Sequence, residues 1–184
     1  MKFRASYSVL NAWQSGNYER AVEMYFKLTD FVTEAMQDGR DWHEKWEAEV
    51  KDTGCLPQIF GGTKLIKPIT EQKIVRQVDE WLEIVGIIDL QHGENGETLV
   101  DYKTGKTQSD NYANSFQPRV YHVLIPSAKR FEFRHYDQYN HTTDTSIIHL
   151  TKKTLNDGID WLITNASEMH SYLEKNQLYE RYAK

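Results

Sequence analysis

The spacing of apolar positions changes several times along this chain, and the changes mark its elements. From Tyr18 to about Leu28 and from about Asp30 to Lys51, hydrophobic side chains return every three or four residues (Val22, Tyr25, Phe26; then Phe31, Ala35, Trp42, Trp46, Val50). That repeat lines one face of a helix, so two helices are predicted. Ser6-Tyr7-Ser8-Val9-Leu10 supplies serine N-caps for a shorter helix ending near Gly16. Gly39 is expected to break or kink the longest of the three. Residues 53–70 hold two prolines and Gly61-Gly62 and read as a loop crossing from helices to sheet.

Beyond that loop the repeat falls to two. Ile74–Trp81 alternates as a strand, Arg130–Tyr136 alternates strictly, and Thr145–Leu150 does so loosely. Between them, Val85–Asp89 and Leu99–Lys103 are apolar runs joined by a polar turn, His92 to Glu97, with an Asn95-Gly96 hairpin signal. A helix capped around Thr107–Asp110 is predicted to run to about Ile125, kinked at Pro118 or starting nearer Ser115, since proline is awkward inside a helix. Thr154–Tyr179 carries Leu155, Ile159, Leu162, Ile163, Ala166, Met169 and Leu173 at helical spacing and reads as a long packing helix. The order is helices, three strands, a helix, two strands, a helix. This is an α/β (α+β) pattern within a single domain spanning 1–184, with N-terminal helices over 1–52, a sheet region over 71–150 and a C-terminal helix over 154–179.

Charge interrupts the sheet pattern at one place. Side chains alternate across a strand, so Asp101 and Lys103 share a face while Val100 and Tyr102 take the other. The hairpin brings Asp89 beside Asp101. Two carboxylates then converge next to an ammonium, an arrangement that is costly unless a cation neutralises the acids. Oxygen donors of this kind suit Mg²⁺ or Mn²⁺. Asp-x-Lys by itself also describes a surface hairpin with a solvated ion pair, and only its context separates the two.

Composition narrows the class. At 184 residues, with 39% hydrophobic and 27% charged positions, the chain reads as one ordinary globule. No apolar run approaches a membrane span, and MKFRASYSVL lacks the core of a signal peptide, so a cytoplasmic, intracellular protein is expected. The single cysteine, Cys55, excludes an internal disulfide and a four-cysteine cluster supplied by this chain. A net charge of −5 argues against coating nucleic acid by charge alone. The distribution softens that objection, because residues 101–153 hold 8 Lys/Arg against 5 Asp/Glu while residues 1–100 hold 11 against 17.

Gly86-Ile87-Ile88-Asp89, then Asp101-Tyr102-Lys103-Thr104-Gly105-Lys106, then Gln117-Pro118-Arg119-Val120-Tyr121 closely resemble the G-x-x-D strand, D-x-K strand and Q-x-x-x-Y helix of the RecB-like branch of the PD-(D/E)xK nuclease superfamily. Three motifs in the family's order and spacing are far more specific than any one of them. The resemblance implies a restriction-endonuclease-like core, a central mixed sheet of about five strands flanked by helices, and the single Cys55 excludes the family's iron-sulfur variant. It implies that His43, upstream of the G-x-x-D strand, joins Asp89, Asp101 and the carbonyl of Tyr102 on a Mg²⁺ or Mn²⁺ ion. Taken alone, His43 between Trp42 and Trp46 reads as a hydrogen-bonded boundary residue. Imidazole among carboxylates shifts preference toward manganese.

The same resemblance casts Lys103 as the residue beside the attacking water, Gln117 on a phosphate or on that lysine, and Tyr121 stacking on a base or bracing its helix. Ser6-x-Ser8-x-Leu10 resembles the segment opening many such domains, with a hydroxyl near a DNA phosphate. Glu71 is a weak candidate for the outer shell, and Arg119, Lys106 and Lys129 are candidate backbone contacts. The implied function is a metal-dependent deoxyribonuclease, more an exonuclease than an endonuclease, in recombination, repair or phage DNA processing, with a DNA end as partner. With no Gly-x-x-x-x-Gly-Lys-Ser/Thr loop in the sequence, any helicase or recombination protein paired with it is a separate polypeptide. Two other readings use the same fold: a catalytically silent nucleic-acid-binding module, and an RNA endonuclease resembling viral cap-snatching enzymes. Intact Asp89, Asp101 and Lys103 speak against the first, and the Gln-x-x-x-Tyr helix against the second.

Overall fold

A computed structural model describes residues 2–29, 32–106 and 112–182. Six strands form one sheet: β1 (Phe3–Ser6), β2 (Ile69–Gln77), β3 (Leu82–His92), β4 (Thr98–Thr104), β5 (Arg130–Asp137) and β6 (Thr142–His149). The order is β1-β3-β4-β5-β6, with β2 also paired to β3. The sheet is mixed: β1 runs parallel to β3 and β4 to β5, while β2–β3, β3–β4 and β5–β6 are antiparallel. This is the restriction-endonuclease-like α/β arrangement, with one more strand than the sequence pattern implied. The extra strand is β1, whose four residues are too few to show a period. Its partner, β3, lies nearly eighty residues away.

The helices are α1 (Tyr7–Gln14), α2 (Tyr18–Phe26), α3 (Glu34–Thr53), α4 (Gln117–Leu124), α5 (Lys152–Lys175) and α6 (Leu178–Tyr182). Ser6 caps α1 as its sequence suggests, accepting from the Val9 N–H at 3.4 Å. Gly39 does not break α3. The helix is continuous, and a Cβ at Gly39 would meet Thr104 Oγ1 at 3.2 Å, so the glycine instead lets α3 lie close over the end of β4. β2 starts and ends about five residues earlier than its alternation indicates. α4 starts at Gln117 with Pro118 in its first turn, where the missing N–H has no partner to lose. The cap expected at 107–110 falls outside the described residues, apart from the outcome that α4 itself begins at Gln117. The long C-terminal helix ends at Lys175, and after a turn through Gln177 (φ 55°) the chain resumes as α6.

Two cores hold the layers. One gathers Phe3, Leu82, Ile84, Ile88, Leu99, Phe131 and Phe133 under α1, α4 and α5. The other packs α3 through Trp46 and Val50 onto Leu90, Val100, Tyr102 and Tyr136. Trp46 is 1% exposed, and burying a side chain of that size contributes roughly 2–3 kcal/mol. This packing anchors α3, and with it His43, one turn away. No helix among the described residues is long and apolar enough to cross a membrane.

α4 is held from behind by α5 at Gly158, where a Cβ would lie 2.5 Å from the Arg119 carbonyl oxygen. Gly158→Ala gains about 1 kcal/mol of helix propensity but forces two packed backbones apart. The net expectation is a loss of about 1–3 kcal/mol, read as a Tm lower by roughly 2–4 °C per kcal/mol. An unchanged or raised Tm would show that α4 moves freely.

Candidate active site

The site grows from a gap in the sheet. β2 pairs with one edge of β3, and the other edge is divided: β1 takes Leu82–Val85 and β4 takes Leu90–His92. Gly86 to Asp89 therefore have no strand on that edge among the described residues. Two groups from neighbouring elements serve it instead. Tyr121 Oη, on α4, donates to the Ile87 carbonyl at 3.0 Å, and the Tyr102 N–H, on β4, donates to Asp89 Oδ2 at 2.8 Å. α4 comes this close because residue 86 is glycine: a Cβ there would sit 2.5 Å from Leu124 Cδ1.

On β4, Asp101 and Lys103 share a face as their spacing requires, with Lys103 Nζ 2.6 Å from Asp101 Oδ2. That ion pair is the partner of the buried Oδ2 among the described residues. The other oxygen, Oδ1, accepts from Gln117 Nε2 at 2.6 Å. Gln117 thus ties the start of α4 to β4, and the Q-x-x-x-Y spacing becomes two braces, one to each side of the gap. Burial, with the charges of Asp101 and Asp89, pushes the Tyr121 phenol well up, so its hydroxyl stays a donor.

His43 reaches the site from α3, its Nδ1 3.5 Å from Asp89 Oδ2. Glu71 arrives from the opposite side. The β2–β3 register runs Thr70 opposite Leu90 and Gln72 opposite Ile88 but skips Glu71, which has φ 49°. A left-handed glutamate inside a strand is strained, and here it stands level with Asp89. His43, Glu71 and Asp89 each offer one ligand atom, all within 4.8 Å of one another.

The electrostatics describe a site short of positive charge. Burial first, then the charge of Asp101, hold the Asp89 carboxyl well above the usual carboxylate range. Burial and the nearby Glu47 raise Glu71. Burial lowers His43, although the Asp101 charge opposes it, so its imidazole is neutral with a lone pair to give. Burial alone would lower Lys103 as well, but the adjoining Asp101 carboxylate more than offsets this and keeps the ammonium charged. An imidazole and two carboxylates, each biased against carrying its own charge, with the Lys103-paired Asp101 carboxylate beside them, are a donor set that a hard divalent cation fits.

The structure therefore gathers His43, Asp89, Asp101, Tyr102, Lys103, Gln117 and Tyr121, with Ser6 and Ser8 on the wall of an adjoining cavity of about 490 Å³. Asp101 lies outside the three-residue donor group and faces Lys103 and Gln117, and Glu71 occupies the place that sequence alone gives to it least clearly. Arg119 turns to the α5 side, where its Nε lies 4.0 Å from Asp157. Lys106 Nζ covers the Tyr139 ring at 4.4 Å. Lys129 precedes the Arg130–Thr98 pair at the far end of β4, roughly 16 Å along the strand from Lys103.

Comparison with known proteins bears on the fold and the family. Residues 4–139 match the PD-(D/E)XK nuclease superfamily. The fold resembles that of an alkaline exonuclease from Laribacter hongkongensis (TM-score 0.60, 11% identity, covering 100% of this chain and 95% of that one). In complex with dAMP, the Laribacter enzyme superposes with a TM-score of 0.56 at 11% identity, over 97% of this chain and 93% of that one. A phage-related exonuclease from Haemophilus somnus 129PT shares the fold at TM-score 0.55 and 13% identity, over 88% of this chain and 82% of that one. The sequence matches no curated protein. With most of its length inside the matched region, the chain belongs to the PD-(D/E)XK nuclease superfamily.

Proposed function

We propose that this chain is a divalent-metal-dependent deoxyribonuclease of the RecB-like branch, acting from DNA ends as an exonuclease in recombination, repair or phage DNA processing. The observation that carries this reading is the convergence of His43, Glu71 and Asp89 within 4.8 Å, beside the Lys103–Asp101 pair. His43, Asp89 and Glu71 would hold Mg²⁺ or Mn²⁺, with Asp101 and the carbonyl of Tyr102 completing the protein's share from β4. Such a cation, when bound, acidifies water and neutralises charge on the phosphate.

The remaining work falls to the chain itself. Lys103 keeps an ammonium beside the donor group, where it orients the attacking water or neutralises charge growing on the phosphate. Asp101 holds that ammonium in place, and Gln117 holds Asp101. Tyr121 fixes α4 against the open edge of β3, so that Gln117 does not drift. The choice of DNA, and of an end, draws on the exonucleases among the structural relatives and on the dAMP bound to one of them.

End-labelled linear DNA and covalently closed DNA, each incubated with Mg²⁺, Mn²⁺ or chelator, test the reading. The linear form should be degraded with either metal, the closed form spared, and chelator should stop the reaction. No hydrolysis under any metal would overturn it.

A further inference from the structure

The ammonium of Lys103 has neighbours that the donor group does not explain. Its Nζ lies 5.5 Å from the centre of the Tyr112 ring and 5.7 Å from that of Phe133. Both distances fall within the reach of a cation–π contact, about 6 Å. The ammonium is therefore surrounded by one carboxylate, Asp101 at 2.6 Å, and two aromatic rings.

Strand register builds this surround. β4 and β5 run parallel, with Phe133 opposite Asp101 and His135 opposite Lys103. Strand neighbours in register share a face, so Phe133 and His135 stand beside the acid and the lysine. Both are buried and fixed by packing. Tyr112 lies across the pair, its ring 5.7 Å from that of Phe133 and 6.1 Å from that of His135. His135 Nε2 is 2.9 Å from the Gly105 carbonyl oxygen, which can only accept, so Nε2 carries a proton and donates. That bond ties the chain just past Lys103 to β5.

We propose that Tyr112 is a positioning residue for Lys103: its ring, together with that of Phe133, steadies the ammonium while leaving N–H donors free for water or phosphate. An ammonium has three donors, and each one given to a carboxylate oxygen is withdrawn from the reaction. A ring face attracts the charge itself and occupies no oxygen acceptor. Asp101 also completes the donor group in the reading above, so its charge is shared. The rings hold the ammonium without competing for that carboxylate. The inference rests on the nuclease reading and adds an aromatic support to its lysine.

Ring electronics separate this role from packing. In Tyr112→Phe bearing one, two and three ring fluorines, size barely changes while the negative face of the ring is drained stepwise. Across the series kcat should fall step by step, ending roughly tenfold below plain Tyr112→Phe, with KM within a few-fold. A flat kcat would show that the ring only packs and would overturn the proposal, even if Tyr112→Leu is inactive. A second measurement needs no turnover. Proton NMR of the metal-free protein, and again with Ca²⁺ added, should show a nuclear Overhauser contact between the Tyr112 ring and the Lys103 ε-methylene. Its absence in either state would also overturn the proposal. Absence of any DNA hydrolysis by wild type with Mg²⁺ or Mn²⁺ would instead overturn the nuclease reading, and the ring contact would then stand or fall by NMR alone.

Discussion

Lys103→Met is expected to lower kcat at least about 100-fold, the scale on which losing one charge-stabilising donor acts, while DNA affinity stays within a few-fold of wild type. Methionine approximates the unbranched apolar stem of lysine and removes the ammonium, with its charge and its donors. Binding should survive because the donor group of His43, Glu71 and Asp89 stays in place. Stability will fall somewhat. Asp101 is 4% exposed and would keep only Gln117, so about 1–3 kcal/mol is at stake. Single-turnover rates should therefore be taken well below the Tm of the variant, with affinity measured separately in Ca²⁺. A variant that cuts within tenfold of the wild-type rate would remove Lys103 from the reaction.

Asp89→Asn is expected to abolish turnover and also to raise the Tm of the metal-free protein. The amide oxygen can still accept from the Tyr102 N–H, which Asp89 Oδ2 does at 2.8 Å. What disappears is a buried negative charge beside Asp101. The sign follows from linkage: a carboxyl whose folded pKa lies above its unfolded value makes the folded state less stable as pH rises between the two. The penalty begins above the ordinary aspartate pKa of about 3.9 and is complete once the raised folded value is passed. The advantage of the variant should therefore be absent in strong acid and grow toward neutral pH. Calorimetric titration with Mn²⁺ should show the wild-type heat lost in the variant. Intact metal binding, or no gain in Tm at neutral pH, would sink this account of Asp89. Activity and stability pull against each other at this residue, as they do where a site stores charge for a ligand.

Local pattern was enough for much of the architecture. The helical repeats over α2, α3 and α5, the alternation of β5, the hairpin between β3 and β4, and the shared face of Asp101 and Lys103 all follow from periods of 3.6 and 2, which need no knowledge of distant residues. The three motif strings were enough for the superfamily. Gln117 and Tyr121 were visible as a pair four apart on one helix face, but their bonds to Asp101 and to the Ile87 carbonyl were not, because those partners belong to other elements.

What tertiary structure decided was the part that depends on partners far along the chain. Nothing in Phe3–Ser6 marks a strand until β3 lies beside it. Glu71 reads from sequence as a weak candidate for the outer shell, and a left-handed backbone sets it level with Asp89, within the donor group. The bond from Tyr121 to the Ile87 carbonyl forms where β1 and β4 divide one edge of β3 and leave Gly86–Asp89 open between them. The chain's own order therefore determined which chemistry was present and on which elements, since side-chain direction along a helix or strand is a local property. Which of those groups meet was decided by the pairing of strands and the packing of α3 and α4. Sheet register and helix docking are set by contacts between residues tens of positions apart, and local spacing does not encode them.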